Sequence, residues 1–156
     1  MAAPTHLRSL VMRSLAVRLA TLALAASVTA TACAGFAAKG TAETAVAKFH
    51  EQLDAEKYDE IWTETDEAFK KVSPQADFSA LLAAMHRKLG RVTSTTQTNF
   101  YSQDRAGTEN SGSFISLTYE TVFAEGRGTE KFNYRVDGKN VRLVGYNVNS
   151  NALILK

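Results

Sequence analysis

SFISLTYETVFAEGRGTEKFNYRVD, residues 113–137, decides the architecture. Ile115, Leu117, Tyr119 and Phe123 share one alternation, and Phe132, Tyr134 and Val136 share another. A period of two places each set on one face of a strand. The glycines between them mark a turn, so the two runs read as an antiparallel hairpin. A two-residue Gly126-Arg127 turn, closed by Glu125 and Gly128, sets Tyr119 opposite Tyr134 and Leu117 opposite Val136. Gly126 suits the first position of a type II′ turn, and both apolar faces coincide. A one-residue slip would oppose Phe132 to Glu120 and scramble the faces.

Downstream, Asp137-Gly138 fits a type I′ turn that brings Tyr134 beside Val141, and the last strand runs to about Val148. Upstream, Val92 to Tyr101 reads as a polar, Thr-rich strand and Gln103 to Gly112 as a loop. The other face of the hairpin carries Glu120 opposite Asn133, with Lys131 and Arg135 diagonal. That face is either a polar binding surface or a solvated one with cross-strand charge pairs.

Before Gly90 the apolar spacing becomes helical. Phe78, Leu81, Leu82, Met85 and Leu89 make one stripe, with Ser73-Pro74 as its start and Gly90 as its stop. Tyr58, Ile61 and Trp62 make a short second helix, and Phe69 and Val72 are expected to close that segment onto the core. Val46, Phe49 and Leu53 make the first helix, capped by Thr41 with Glu43 in its first turn. Helices first and a meander afterwards predict an α+β fold: three N-terminal helices packed on a curved antiparallel sheet of about four strands. Residues 41–156 form this single domain.

Leu53-Asp54, Tyr58, Trp62, Lys88-Leu89-Gly90, Thr118-Tyr119, Phe123, Thr129-Glu130 and Gly145-Tyr146 together make a recognisable pattern. It resembles uncharacterised bacterial exported-domain families. Their fold is similar to the cystatin-like cone of the nuclear transport factor two superfamily. The resemblance implies a fold and an envelope location, and it transfers no catalytic residue.

The N-terminus supports export independently. Residues 1–32 hold Arg8, Arg13 and Arg18, no acid, and an apolar run from Leu19 to Ala30. That describes a signal peptide, with Met12 as an alternative start. Ala30-Thr31-Ala32-Cys33 resembles a lipobox, with Ala30 where leucine is usual. Cys33 is the only cysteine. Lipidation there, followed by a tether over 33–40, anchors the protein in the bacterial envelope facing the periplasm, with the outer membrane favoured. Ordinary cleavage would instead release it to the periplasm. Two acyl chains suffice for stable anchoring.

Without the three leader arginines, 15 Lys and Arg face 16 acids, a net −1. No basic footprint for nucleic acid remains. No P-loop, dinucleotide fingerprint, Gly-x-Ser-x-Gly elbow or His-Glu-x-x-His is present. Cys33 leaves no partner for a soft metal site, and His50 and His86 lack the spacing of a metal pair, so no metal or other cofactor is expected. Nine acids between Glu43 and Glu67 read as a solvated helix face.

Cone folds often hold a pocket between helices and sheet; Tyr58, Trp62 and Tyr146 either line it or, the favoured reading, pack as plain core. The expected function is a non-enzymatic binding or structural module of the envelope. The alternative is a small-ligand carrier or sensor, or less readily an acid–base enzyme, using that pocket. The expected partners are the membrane, an envelope protein, or a second copy through the sheet.

Overall fold

A computed structural model describes residues 38–107 and 111–155. The leader, Cys33 and most of the expected tether lie outside the described residues. Helix α1 covers described residues 38–54, followed by α2 (Tyr58–Thr63), α3 (Glu67–Val72) and α4 (Gln75–Leu89). Strands β1 (Val92–Arg105), β2 (Gly112–Phe123), β3 (Gly126–Asp137) and β4 (Asn140–Asn149) form one antiparallel sheet in that order. A single turn of helix, α5 (Ala152–Leu155), ends the chain. The α+β class stands, but among the described residues four helices precede the sheet and a fifth follows it, rather than three N-terminal helices.

Three helix expectations are corrected. Residues 38–40 are already helical, so Thr41 lies inside α1 and does not cap it. Residues 67–72 form a helix of their own, because Asp66 Oδ1 accepts from the Ala68 amide at 2.8 Å. Val72 on that helix is 80% exposed and does not close onto the core. Ser73 ends α3, leaving α4 to begin after Pro74 without a side-chain cap. Leu81 faces outward, while Phe78, Leu82, Met85 and Leu89 are buried.

The strands keep their faces but change partners. Phe123 pairs with Gly126, so the turn is Ala124-Glu125 and Tyr119 sits opposite Glu130, not Tyr134. Leu117 opposes Phe132. The difference is even, so every apolar residue stays inward. The cause is tertiary: the Ala124 amide donates to the Arg91 carbonyl at 2.9 Å and the Glu125 amide to Leu89 at 2.8 Å. Gly90, with φ of +72°, brings these carbonyls to the turn, and a Cβ there would lie 3.0 Å from the Ala124 Cβ. The β3–β4 turn is Gly138-Lys139, with φ of +59° at Gly138, which sets Tyr134 opposite Leu143 instead of Val141. The β1–β2 hairpin is longer than expected: β1 runs on to Arg105, and Gln103 pairs with Phe114 instead of lying in a loop.

Inward residues of β2, β3 and β4 share one core with α1, α2 and α4. Phe132 lies at its centre, 0% exposed, within ring-contact distance of Phe49, His50, Tyr119, Tyr134 and Tyr146. Bulges interrupt β1 and β4, curving the sheet.

Candidate functional site

Tyr58, Trp62 and Tyr146 occupy three different surroundings. The Tyr58 hydroxyl meets His86 Nδ1 at 3.3 Å, and burial raises its pKa. Trp62 Nε1 donates to the Ser73 carbonyl at 2.9 Å, with Lys70 over its ring. Tyr146 packs between Phe49 and Phe132 in the core. Beside these core residues a cavity of about 70 Å³ lies between Phe49, Gln52, Tyr134 and Leu143. That is room for water rather than for an organic ligand.

The inward face of β3 also carries a polar residue that the sequence reading never weighed as a site. Glu130, opposite Tyr119, is 0% exposed. Its Oε2 lies 2.9 Å from His50 Nε2 and accepts from Thr121 Oγ1 at 2.5 Å. Its Oε1 accepts from the Tyr146 hydroxyl at 2.6 Å. Burial alone would raise the carboxyl pKa, but the hydrogen bonds and charge of His50, with Thr121 and Tyr146, outweigh it and hold it below the usual range. Burial beside Glu130 pushes the Tyr146 hydroxyl well above its ordinary value. Both carboxylate oxygens are occupied and none of the carboxylate is exposed. This is a lock between helix and sheet.

His86 faces Tyr58 and, at 3.8 Å, Asp54. Asp54 Oδ1 also accepts from the Val92 amide at 3.0 Å, joining the end of α1 to the start of β1. The two histidines therefore serve separate contacts. Among the described residues no cluster of His, Cys, Asp and Glu is arranged to hold a metal.

A larger concavity lies on the opposite face of the sheet, with a volume of about 770 Å³. The register explains it. Gln103, Phe114, Arg135 and Arg142 form one row across the four strands. Two residues along, Tyr101, Ser116, Asn133 and Gly145 form the next, and Asn99, Thr118, Lys131 and Asn147 the third. Ser116, Asn133 and Gly145 are small, so the middle row is a trough between bulkier rows about 13 Å apart. Gly145 lets the Asn133 amide lie over the strand, 3.3 Å from where a Cβ would stand. Ala68, Phe69 and Val72 of α3 close one end.

Electrostatically the trough is one-sided. Lys131, Arg105 and Arg135 line it, and among the described residues no carboxylate does. The guanidinium carbons of Arg105 and Arg135 lie 4.8 and 5.3 Å from the Phe114 ring centroid. Arg135 Nε is 3.4 Å from Asp66 Oδ2; among the described residues no carboxylate pairs with Arg105 or Lys131. Glu120 lies outside the trough, accepting from Thr129 Oγ1 at 2.7 Å, and is paired with Thr129 rather than opposite Asn133. Lys131, Asn133 and Arg135, placed on this face by alternation, are brought together. Arg105 and Phe114 were missed, since the first lay in an expected loop and the second outside the apolar stripe.

Among the described residues no helix is long and apolar enough to cross a membrane. A family model described as "Protein of unknown function (DUF4019)" matches residues 45–146, and the chain belongs to that family. The match spans α1 to β4 and so includes most of the trough. No curated protein matches the chain.

Proposed function

We propose that this chain is a lipid-anchored bacterial envelope protein whose domain binds an anionic partner, without chemistry of its own, in the trough on the sheet's outer face. The trough itself carries the reading: about 770 Å³ lined, among the described residues, by three cations and no carboxylate, on a domain whose net charge behind the leader is −1. Volumes of this order suit a specific ligand. A two-fold pairing of these faces would oppose cations to cations, which favours a foreign partner over a second copy. The basic leader, the Ala32-Cys33 junction and the resemblance to exported domains support the envelope location. The succession of helices and a curved meander supports likeness to the cystatin-like cone. Glu130, the most deeply buried carboxylate, supports a non-enzymatic reading, because hydrogen bonds occupy both its oxygens.

Photocrosslinking in cells tests this. Benzoylphenylalanine at Tyr101, on the trough, should give defined adducts, and the same probe at Glu60, on α2, should give none. Equal labelling from both positions, or adducts from Glu60 alone, would rule out the trough as the binding surface.

A further inference from the structure

We infer that the trough binds an acidic oligosaccharide, its acid groups seated on Arg105, Arg135 and Lys131 and its hydroxyls on the trough floor. The inference rests on the trough being the binding surface and adds the chemistry of its occupant.

Charge comes first. Arg105 and Arg135 stand together against Phe114 on one flank, and Lys131 stands on the other. An occupant lying in the middle row thus meets cations on both sides. A guanidinium gives carboxylate or sulfate two parallel donors, whereas Lys131 acts as a point charge. Held on the Phe114 ring, the two guanidiniums lose less freedom on binding.

The floor separates a glycan from other polyanions. Ser116 and Asn133 on the floor, with Thr118 and Asn99 on the row beside it, each offer both a donor and an acceptor. A hydroxyl-rich ligand uses both functions, while a bare phosphate chain would use only the donors. An extended peptide takes its main-chain hydrogen bonds from a sheet edge, whereas the trough lies across the face of the four strands. Tyr101, 59% exposed at the β1 end, offers an open ring face against which a sugar can pack.

An array of immobilised glycans and peptides tests the inference with the purified full chain in detergent. The panel holds oligosaccharides bearing uronate or sulfate, their neutral counterparts, and oligoglutamate peptides. Retention should be confined to acid-bearing glycans and should weaken as salt is raised. Arg105→Gln and Lys131→Gln should each cut affinity by about tenfold, the scale of one charge-assisted hydrogen bond. Neither residue pairs with a carboxylate among the described residues, so both variants should keep the native melting temperature. Retention of neutral glycans equal to acidic ones, stronger retention of oligoglutamate, or no retention of any acidic glycan would overturn the inference. Trough-specific crosslinks in cells alongside any of those outcomes would leave the binding surface standing and remove only the glycan.

Discussion

His50 Nε2 on α1 lies 2.9 Å from Glu130 Oε2 on β3, joining helix to sheet across 80 residues of sequence. Both groups are buried, so the contact is little screened by solvent. The folded pKa of Glu130 is depressed, so the unfolded chain takes up its proton first as acid is added. Its contribution is complete well above the unfolded value of about 4.3 and is lost as pH falls through the lower folded value. Melting followed by circular dichroism should therefore show stability falling below about pH 4.3. Glu130→Gln should be less stable at pH 7 and show a flatter acid slope; an unchanged slope would remove Glu130 as the titrating group.

Removing the carboxylate outright is a harsher test. Glu130→Ala leaves His50, Thr121 and Tyr146 without their shared acceptor and should cost about 3–5 kcal/mol in urea denaturation. A loss under about 1 kcal/mol would mean that water replaces the carboxylate readily.

The centre of the core makes an independent prediction. Phe132→Ala removes a fully buried ring in contact with five other rings and should cost about 3–5 kcal/mol. Phe114→Ala, on the outer face, should cost much less. Comparable losses would contradict the assignment of inner and outer faces.

Gly90 has a positive φ, and a Cβ there would lie 3.0 Å from the Ala124 Cβ. Gly90→Ala should destabilise by more than about 1 kcal/mol, read from the urea midpoint at unchanged slope. A neutral result would show that the β2–β3 turn shifts freely from α4.

Cys33→Ser should abolish palmitate labelling and move the protein from the membrane fraction to the soluble periplasm. Unchanged partitioning would remove the lipid anchor from the proposal.

Alternation made the inner faces legible: Ile115, Leu117, Tyr119, Phe123, Phe132 and Tyr134 are all buried. The partners were not legible, because a strand pair moved by an even number of residues presents the same faces. Local turn preference favoured Gly126-Arg127, yet the carbonyls of Leu89 and Arg91 decide the turn from outside the hairpin. Gly128 was read as closing that turn, but it makes room for another strand: a Cβ there would lie 2.9 Å from the Asn149 carbonyl oxygen. The site was legible by halves. Lys131, Asn133 and Arg135 follow from alternation alone. Arg105 and Phe114 needed the length of the β1–β2 hairpin, while Glu130 shares the alternation of Phe132 and Tyr134 and only its partners His50, Thr121 and Tyr146 needed the tertiary fold. Polar residues in a strand look the same in sequence whether they meet water or a buried histidine.

The grip of Leu89 and Arg91 on the turn also bears on how the sheet assembles. Helix α4 and its terminal carbonyls precede β2 and β3 in the chain, and they bond the turn from outside the hairpin. A β2–β3 hairpin formed away from α4 is free to settle on the competing glycine turn, with its inward faces satisfied and Glu130 misplaced. Docking against α4 favours the native turn over that alternative. A chain with the end of α4 weakened should accumulate compact, mispaired species rather than simply unfold.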